Sequence, residues 1–294
     1  MTMALDTRRR RSVVPAFWSD ASWLARLAMM LAVLLAVGAA FAPLIAPFDP
    51  TAQSLLSRLR PPVGFERAAA GHLLGTDELG RDMLSRSLHG LRLTLGLALL
   101  GATIGLLIGG SVGLIAGIAG GRTESLLMAA VDVQISVPFT LIALFVLSVF
   151  GSSLTVMVLV LGIFGWEQYA RIVRAEVRRL MAMPFVEAAR LAGARPFRLA
   201  REHLVPNIVS PLVVQFTLSL SSIILQESTL SFLGLGVQPP TATLGSMVGV
   251  GRDFLPTAPW IVLAPALLIL LTTFVVQILG DWLRDKTDVR LRGR

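Results

Sequence analysis

Apolar runs long enough to cross a bilayer recur along this chain, at 24–46, 91–119, 126–150, 154–166, 208–235 and 260–283. A hydrocarbon core takes roughly 20 residues as helix, and each backbone polar group inside it must find its partner within the protein. The pattern predicts an all-α integral membrane protein with six transmembrane helices, the fourth of them short. Composition agrees: 15% of residues are charged, against about a quarter in soluble domains.

The first run follows Arg8–Arg11, and Ala40-Phe41-Ala42 imitates a small-residue cleavage site. It is longer than the apolar core of a usual signal peptide and further spans follow it, so it reads as a retained helix. The chain divides into a tail at 1–23, a first span at 24–46, a loop at 47–90, a five-helix core at 91–284 and a tail at 285–294.

Basic residues mark cytoplasmic segments. They concentrate in the N-terminal tail, in 167–207 with eight arginines against four acids, and after the last span. Loop 47–90 carries five arginines and five acids. Charge and parity together put both termini and 167–207 in the cytoplasm and loop 47–90 outside, as in a multi-pass protein of a bacterial inner membrane. The basic residues thus have a role in sidedness, and no nucleic-acid partner is expected.

Several chemistries are excluded or lack support. The chain has no cysteine, so it has neither disulfides nor thiolate metal sites. Lys286 is the only lysine and follows Asp285 with no glycine-rich lead, so the chain holds no phosphate-binding P-loop of its own. His72, His89 and His203 are too far apart for a zinc-binding HExxH helix, and no metal site and no catalytic residue are assigned.

Within the second run, Gly101, Gly105, Gly109, Gly113 and Gly117 recur every four residues. Such a stripe lets another helix backbone come close and reads as a packing seam. Trp166 and Trp260 fall at expected membrane boundaries, where an indole is favoured as an anchor.

In the basic segment, Pro184 stands where a helix should start and Glu187 falls in its first turn, complementing the helix dipole. Gly193 is placed for a left-handed cap, Pro196 suits the first turn of a second helix, and Pro206 is expected to close it. Ala188 and Ala189 offer a small surface ringed by arginines. The residues alone leave two readings open: a knob for another protein's groove, or an amphipathic loop on anionic lipid.

Glu187-Ala188-Ala189, Gly193 and His203-Leu204-Val205-Pro206-Asn207 resemble the EAA loop of binding-protein-dependent ABC importer permeases, with Val205 where leucine is commoner. The segments 72–82 (HLLGTDELGRD) and 230–240 (LSFLGLGVQPP) and the tail GDWLRD at 280–285 resemble the dipeptide, oligopeptide and nickel permeases, although Val289 replaces a usual proline. The likeness runs from about residue 41 to 292.

This resemblance implies a type I ABC importer permease (MetI-like) core with a peripheral first helix. It implies a non-enzymatic transport subunit whose EAA loop docks through Glu187, Ala188, Ala189 and Gly193, closed by Pro206, on a cytoplasmic ATPase. It also implies a second, related permease subunit, two ATPase subunits carrying ATP and Mg, an extracytoplasmic solute-binding protein and surrounding membrane lipid. No cofactor is expected on this chain itself. In the same family, His203 would stabilise the loop.

Polar groups inside a membrane are functional candidates by default. Asp132 and Gln134, one turn before Pro138, are candidates for the translocation path or for satisfying neighbouring helices. Glu227 could line the path or pair with a polar group on another helix, and pairing is the favoured reading. An ion-coupled secondary transporter is the alternative for the whole chain; it leaves the EAA-like loop unexplained.

Overall fold

The computed structural model describes residues 21–287; the arginines of the N-terminal tail and Val289, Arg290, Arg292 and Arg294 lie outside them. Among the described residues the fold is all-helical, with one isolated antiparallel bridge, Thr76 to Asp82. Helix α1 (Trp23–Ala40) is capped by the Ser22 hydroxyl, which accepts from the Ala25 N–H at 3.2 Å. A short α2 (Ala42–Ile45) follows, and an irregular loop leads to α3 (Met83–Ala119).

Helix α3 is the spine, roughly 55 Å long at about 1.5 Å per residue. It begins at Met83 and not at the expected 91, because the Asp82 carboxylate caps it by accepting from Ser85 N–H at 2.7 Å. The polar residues of its first turns, Ser85, Arg86 and Ser87, are buried under the preceding loop instead of forming part of it.

The third span is not one straight helix. It is a pair, α4 (Gly121–Ser136) and α5 (Phe139–Phe150), bent by 80°. The residue before a proline is pushed out of the helical region, and Val137, at φ −102° and ψ 125°, breaks the run before Pro138. Counting that pair as one span, six segments among the described residues are long and apolar enough to cross a membrane.

The fourth span also departs from expectation. Helix α6 (Leu154–Ile163) runs through a left-handed Gly165 into α7 (Trp166–Met181), and together they make a 28-residue span. Residues 166–181 therefore belong to the bundle and not to a polar loop. Their charge hides an apolar stripe: Tyr169, Ala170, Val173, Val177 and Leu180 are all buried, while Arg171, Arg178 and Arg179 are exposed. Trp166 is the first residue of α7, at the break that follows Gly165.

After α7 come α8 (Pro184–Leu191), α9 (Pro196–Leu199) and α10 (Val205–Leu230), then α11 (Leu244–Gly251) and α12 (Trp260–Thr287). Pro206 does not close a helix. The chain stays helical from Pro196 through a π turn at Ala200–Leu204 and on to Leu230, and Pro206 sits in the first turn of α10, where its missing N–H and ring are tolerated.

A central core joins Leu97 and Ala102 of α3, Leu147 of α5, Leu161 of α6 and Ile223 and Ile224 of α10. At one end, Val173, Val177 and Leu180 of α7 pack with Val186 of α8, Leu199 of α9 and Ile208 of α10. Helix α1 packs on the outside against α3 and α12 through Ala28, Leu35 and Val275.

Candidate functional site

The five glycines of α3 all meet the α6–α7 span. Gly101 faces Leu161, Gly105 faces Phe164, and Gly109 faces Trp166 and Tyr169; beyond these, Gly113 meets Ala170 and Gly117 meets Val177. Partner numbers rise with the glycine numbers, so the two spans run parallel. A Cβ at Gly117 would stand 2.6 Å from Val177 Cγ1, and one at Gly113 2.5 Å from the Ala170 carbonyl oxygen. Small residues here allow backbone contact that a side chain would prevent.

That contact anchors α7, and α7 delivers the chain to α8 across Ala182 and Met183. Pro184 opens α8, and Glu187 lies in its first turn. Gly193 takes φ +84°, the left-handed region open to glycine at little cost. Its N–H donates to Arg190 O at 2.9 Å, the N–H of Ala194 donates to Ala189 O at 3.0 Å, and Pro196 then starts α9.

The resulting hairpin is pinned by the buried Val186 and Leu199. Glu187, Ala188 and Gly193 are exposed and Ala189 is half-buried. Two apolar side chains stand out beside them, Leu191 at 85% and Phe197 at 77% exposure. Sequence reasoning missed both; Leu191 stands two residues from Gly193 and Phe197 four. The His203 ring, on the π turn, lies 6.4 Å from that of Phe185, and the His203 carbonyl accepts from Asn207 Nδ2 at 2.7 Å.

The opposite end of α3 carries a charged knot. Asp77 accepts from Leu79 N–H and Arg81 N–H, both at 2.9 Å, from Arg81 Nε at 2.6 Å and from Arg86 Nε at 3.2 Å. Glu78 takes the other end of the Arg81 guanidinium, at 2.6 Å. Asp82 pairs with His72 Nδ1 at 2.9 Å, and Phe48 stacks on that imidazole at 4.4 Å. Gly75 and Gly80 have positive φ and lie against the backbone at Arg60 and Ser54, where a Cβ would collide. The Trp260 indole donates to Thr76 O at 3.0 Å, so it ties α12 to this loop in addition to any anchoring at the boundary.

The intramembrane polar candidates do not converge. Asp132 is exposed on α4 and accepts from Arg171 Nη2 of α7 at 2.7 Å, while Gln134 is half-buried on the same helix. Glu227 on α10 is wholly buried. Its Oε1 accepts from Ser231 Oγ at 2.6 Å, and Ser231 reaches Thr243 Oγ1 at 3.4 Å, the cap of α11. Its Oε2 is buried without a hydrogen-bond partner. The clasp joins α10 to α11.

Residues 109–289, more than half the chain, match the family model of the binding-protein-dependent transport system inner membrane component. The chain belongs to that family. It is 42% identical over 265 residues to the di/tripeptide transport system permease protein DppC of Pseudomonas aeruginosa, covering 90% of this chain and 88% of the relative. The oligopeptide permease OppC of Bacillus subtilis is 35% identical, with 94% and 91% covered, and the nickel permease NikC of Escherichia coli is 37% identical, with 94% and 97% covered.

Among solved structures, the permease fold of an inward-facing MetNI methionine ABC transporter superposes with a TM-score of 0.53 at 21% identity, covering 70% of this chain and 97% of that one. The shared fold is the helical bundle itself. This permease is therefore a membrane transport subunit of the peptide and nickel group of ABC importers, and the resemblance in its EAA-like, HLLGTDELGRD and LSFLGLGVQPP segments falls on structured elements at both ends of the bundle.

Proposed function

We propose that this permease forms half of the translocation path of an ATP-driven importer of di- or oligopeptides or a related solute such as nickel, and that α8 is its docking helix for a cytoplasmic ATPase. The observation that carries this reading is the hairpin 184–199. It is a short helix, fixed by a left-handed glycine and braced by Val186 and Leu199, that presents Ala188, Leu191 and Phe197 outward. A surface of this kind suits insertion into a groove, since small and apolar side chains lose little entropy on docking.

In this reading a second permease completes the path, two ATPases bind ATP and Mg, and an extracytoplasmic binding protein delivers cargo to the end bearing the Asp77 knot. Peptides are the favoured cargo, because the di/tripeptide permease reaches 42% identity against 37% for the nickel permease. The parallel run of α3 and the α6–α7 span supports both termini lying on one side, since it requires the bent α4–α5 pair to return the chain between them. That side is the cytoplasm, where the arginine-rich hairpin lies.

The test is cross-linking in the intact complex. Ala188→Cys, in a chain otherwise free of cysteine, is expected to cross-link to the ATPase subunit and not to react with an impermeant thiol reagent outside intact cells. Labelling from outside, or uptake by the purified permease without any ATPase, would overturn the reading.

A further inference from the structure

Helix α4 is held to the bundle in an unusual way. Of its sixteen residues only Glu124 and Val131 are buried, and Leu126 and Val133 stand 74% and 67% exposed. Its two covalent joints are both bends. Gly120 and Gly121, at φ +63° and +54°, connect it to α3, and the break at Val137 and Pro138 connects it to α5. Consecutive left-handed glycines fix a direction weakly, because either residue visits many backbone conformations at little cost.

Besides the packing of Val131, what fixes α4 is a carboxylate. The Glu124 side chain, 11% exposed, accepts from Arg174 Nε at 2.6 Å, and Arg178 Nη1 lies 3.8 Å from its other oxygen. Both arginines stand on α7, one turn apart. A shielded carboxylate facing two guanidinium groups resists being pulled away far more than an exposed pair does. The Asp132–Arg171 pair, 66% and 53% exposed, lies between the same two helices and is the weaker of the two.

Helix α7 in turn moves with α8. Only Ala182 and Met183 separate them, Met183 N–H donates to Leu180 O at 2.9 Å, and Val186 packs among Val173, Val177 and Leu180. We propose that Glu124, Arg174 and Arg178 are positioning residues of the transport cycle: they bind the broken α4–α5 span to the α7–α8 unit, so that displacement of the docking helix is delivered to the bend at Pro138. This rests on the reading of α8 as the docking helix.

The experiment uses the whole complex, with its ATPases and binding protein, in liposomes. It reads dialanine uptake per ATP hydrolysed and, by pulsed electron resonance, the distance between spin labels at Ala129→Cys on α4 and Ala175→Cys on α7, both exposed positions. The unmodified pairing should give one narrow distance with and without ATP. Glu124→Gln and Arg174→Gln should broaden it and lower uptake per ATP at least fivefold with ATPase activity retained, and the charge swap E124R with R174E should recover most of both.

A narrow distance and unchanged uptake per ATP in the single variants would overturn the proposal. So would loss of assembly that the swap does not repair, which would make the contact ordinary packing. Failure of the docking reading looks different: the ATPase would not bind α8 in the unmodified complex, while the label distance would still respond to Glu124→Gln.

Discussion

The backbone carbonyl of Trp166 occupies the space in which any Cβ at position 109 would have to stand. Relief requires α3 and α7 to separate, because the obstacle is backbone and cannot rotate away. Gly109→Ala is expected to destabilise the subunit by about 1–3 kcal/mol, the range for overpacking, and Gly109→Leu to abolish assembly of the complex. Gly96→Ala, where nothing lies within 4 Å of an added Cβ, should leave both unchanged. Thermal unfolding in detergent and the yield of intact complex are the measurements, and equal behaviour of Gly96→Ala and Gly109→Ala would refute the seam.

At Gly193 the obstacle is conformational. An added Cβ meets nothing within 4 Å, so any effect of substitution must arise from φ +84°. A β-branched residue there costs roughly 1–2 kcal/mol, which the short α8 can avoid by leaving its left-handed turn and turning Ala188 and Leu191 away. Gly193→Val is expected to leave membrane insertion intact, keep ATP hydrolysis and lose most uptake. Gly193→Asn, which tolerates this region better, should retain much of it. Transport in reconstituted vesicles that is the same for valine and asparagine would exclude the turn as the cause.

The contrast between these two glycines shows what the sequence makes readable. Pro184 and Pro196 restrict their own backbone and Gly193 admits the left-handed turn between them, so the hairpin could be placed from local chemistry alone. The glycine stripe announced a seam but not its partner, since the partner lay in residues that average as polar. Arg171, Arg174, Arg178 and Arg179 conceal the buried face of α7, just as Ser85, Arg86 and Ser87 conceal the start of α3. Both departures have one physical source, that polarity does not mean exposure: the α7 arginines pair with Glu124, Asp132 or Glu176 around a buried stripe, while under the loop Arg86 pairs with Asp77 and the Ser85 hydroxyl accepts from Phe48 N–H. Pro206 misled for another reason, because the π turn before it removes the clash that ends an ordinary helix.

At the far end of α3, the Trp260 indole separates two roles, anchoring and tethering. Trp260→Phe keeps an aromatic ring on the loop but deletes the donor to Thr76 O, a loss of about 1 kcal/mol for a single hydrogen bond. Asp77→Ala should cost distinctly more, since it strips Arg81 and Arg86 of a shared buried acceptor and leaves Arg86 buried without a carboxylate, while Arg81 keeps Glu78. Unfolding temperatures that rank the two variants in the reverse order would show that the knot is not what holds the loop.

Glu227 gives the sharpest test of whether a buried intramembrane carboxylate serves the path or the frame. Its side chain has no exposed surface, and one oxygen is spent on Ser231, which continues to the Thr243 cap of α11. If its work is to join α10 and α11, Glu227→Gln, which keeps an acceptor of the same shape, should stay within about 1 kcal/mol of the parent. Glu227→Ala should lose roughly 1–3 kcal/mol by leaving the Ser231 hydroxyl buried without its acceptor, with uptake falling only in proportion to folded complex. A group that met cargo would behave otherwise: Glu227→Gln would then change the concentration dependence or the cargo preference of uptake while stability held. Measuring both quantities on the same two variants decides between clasp and path.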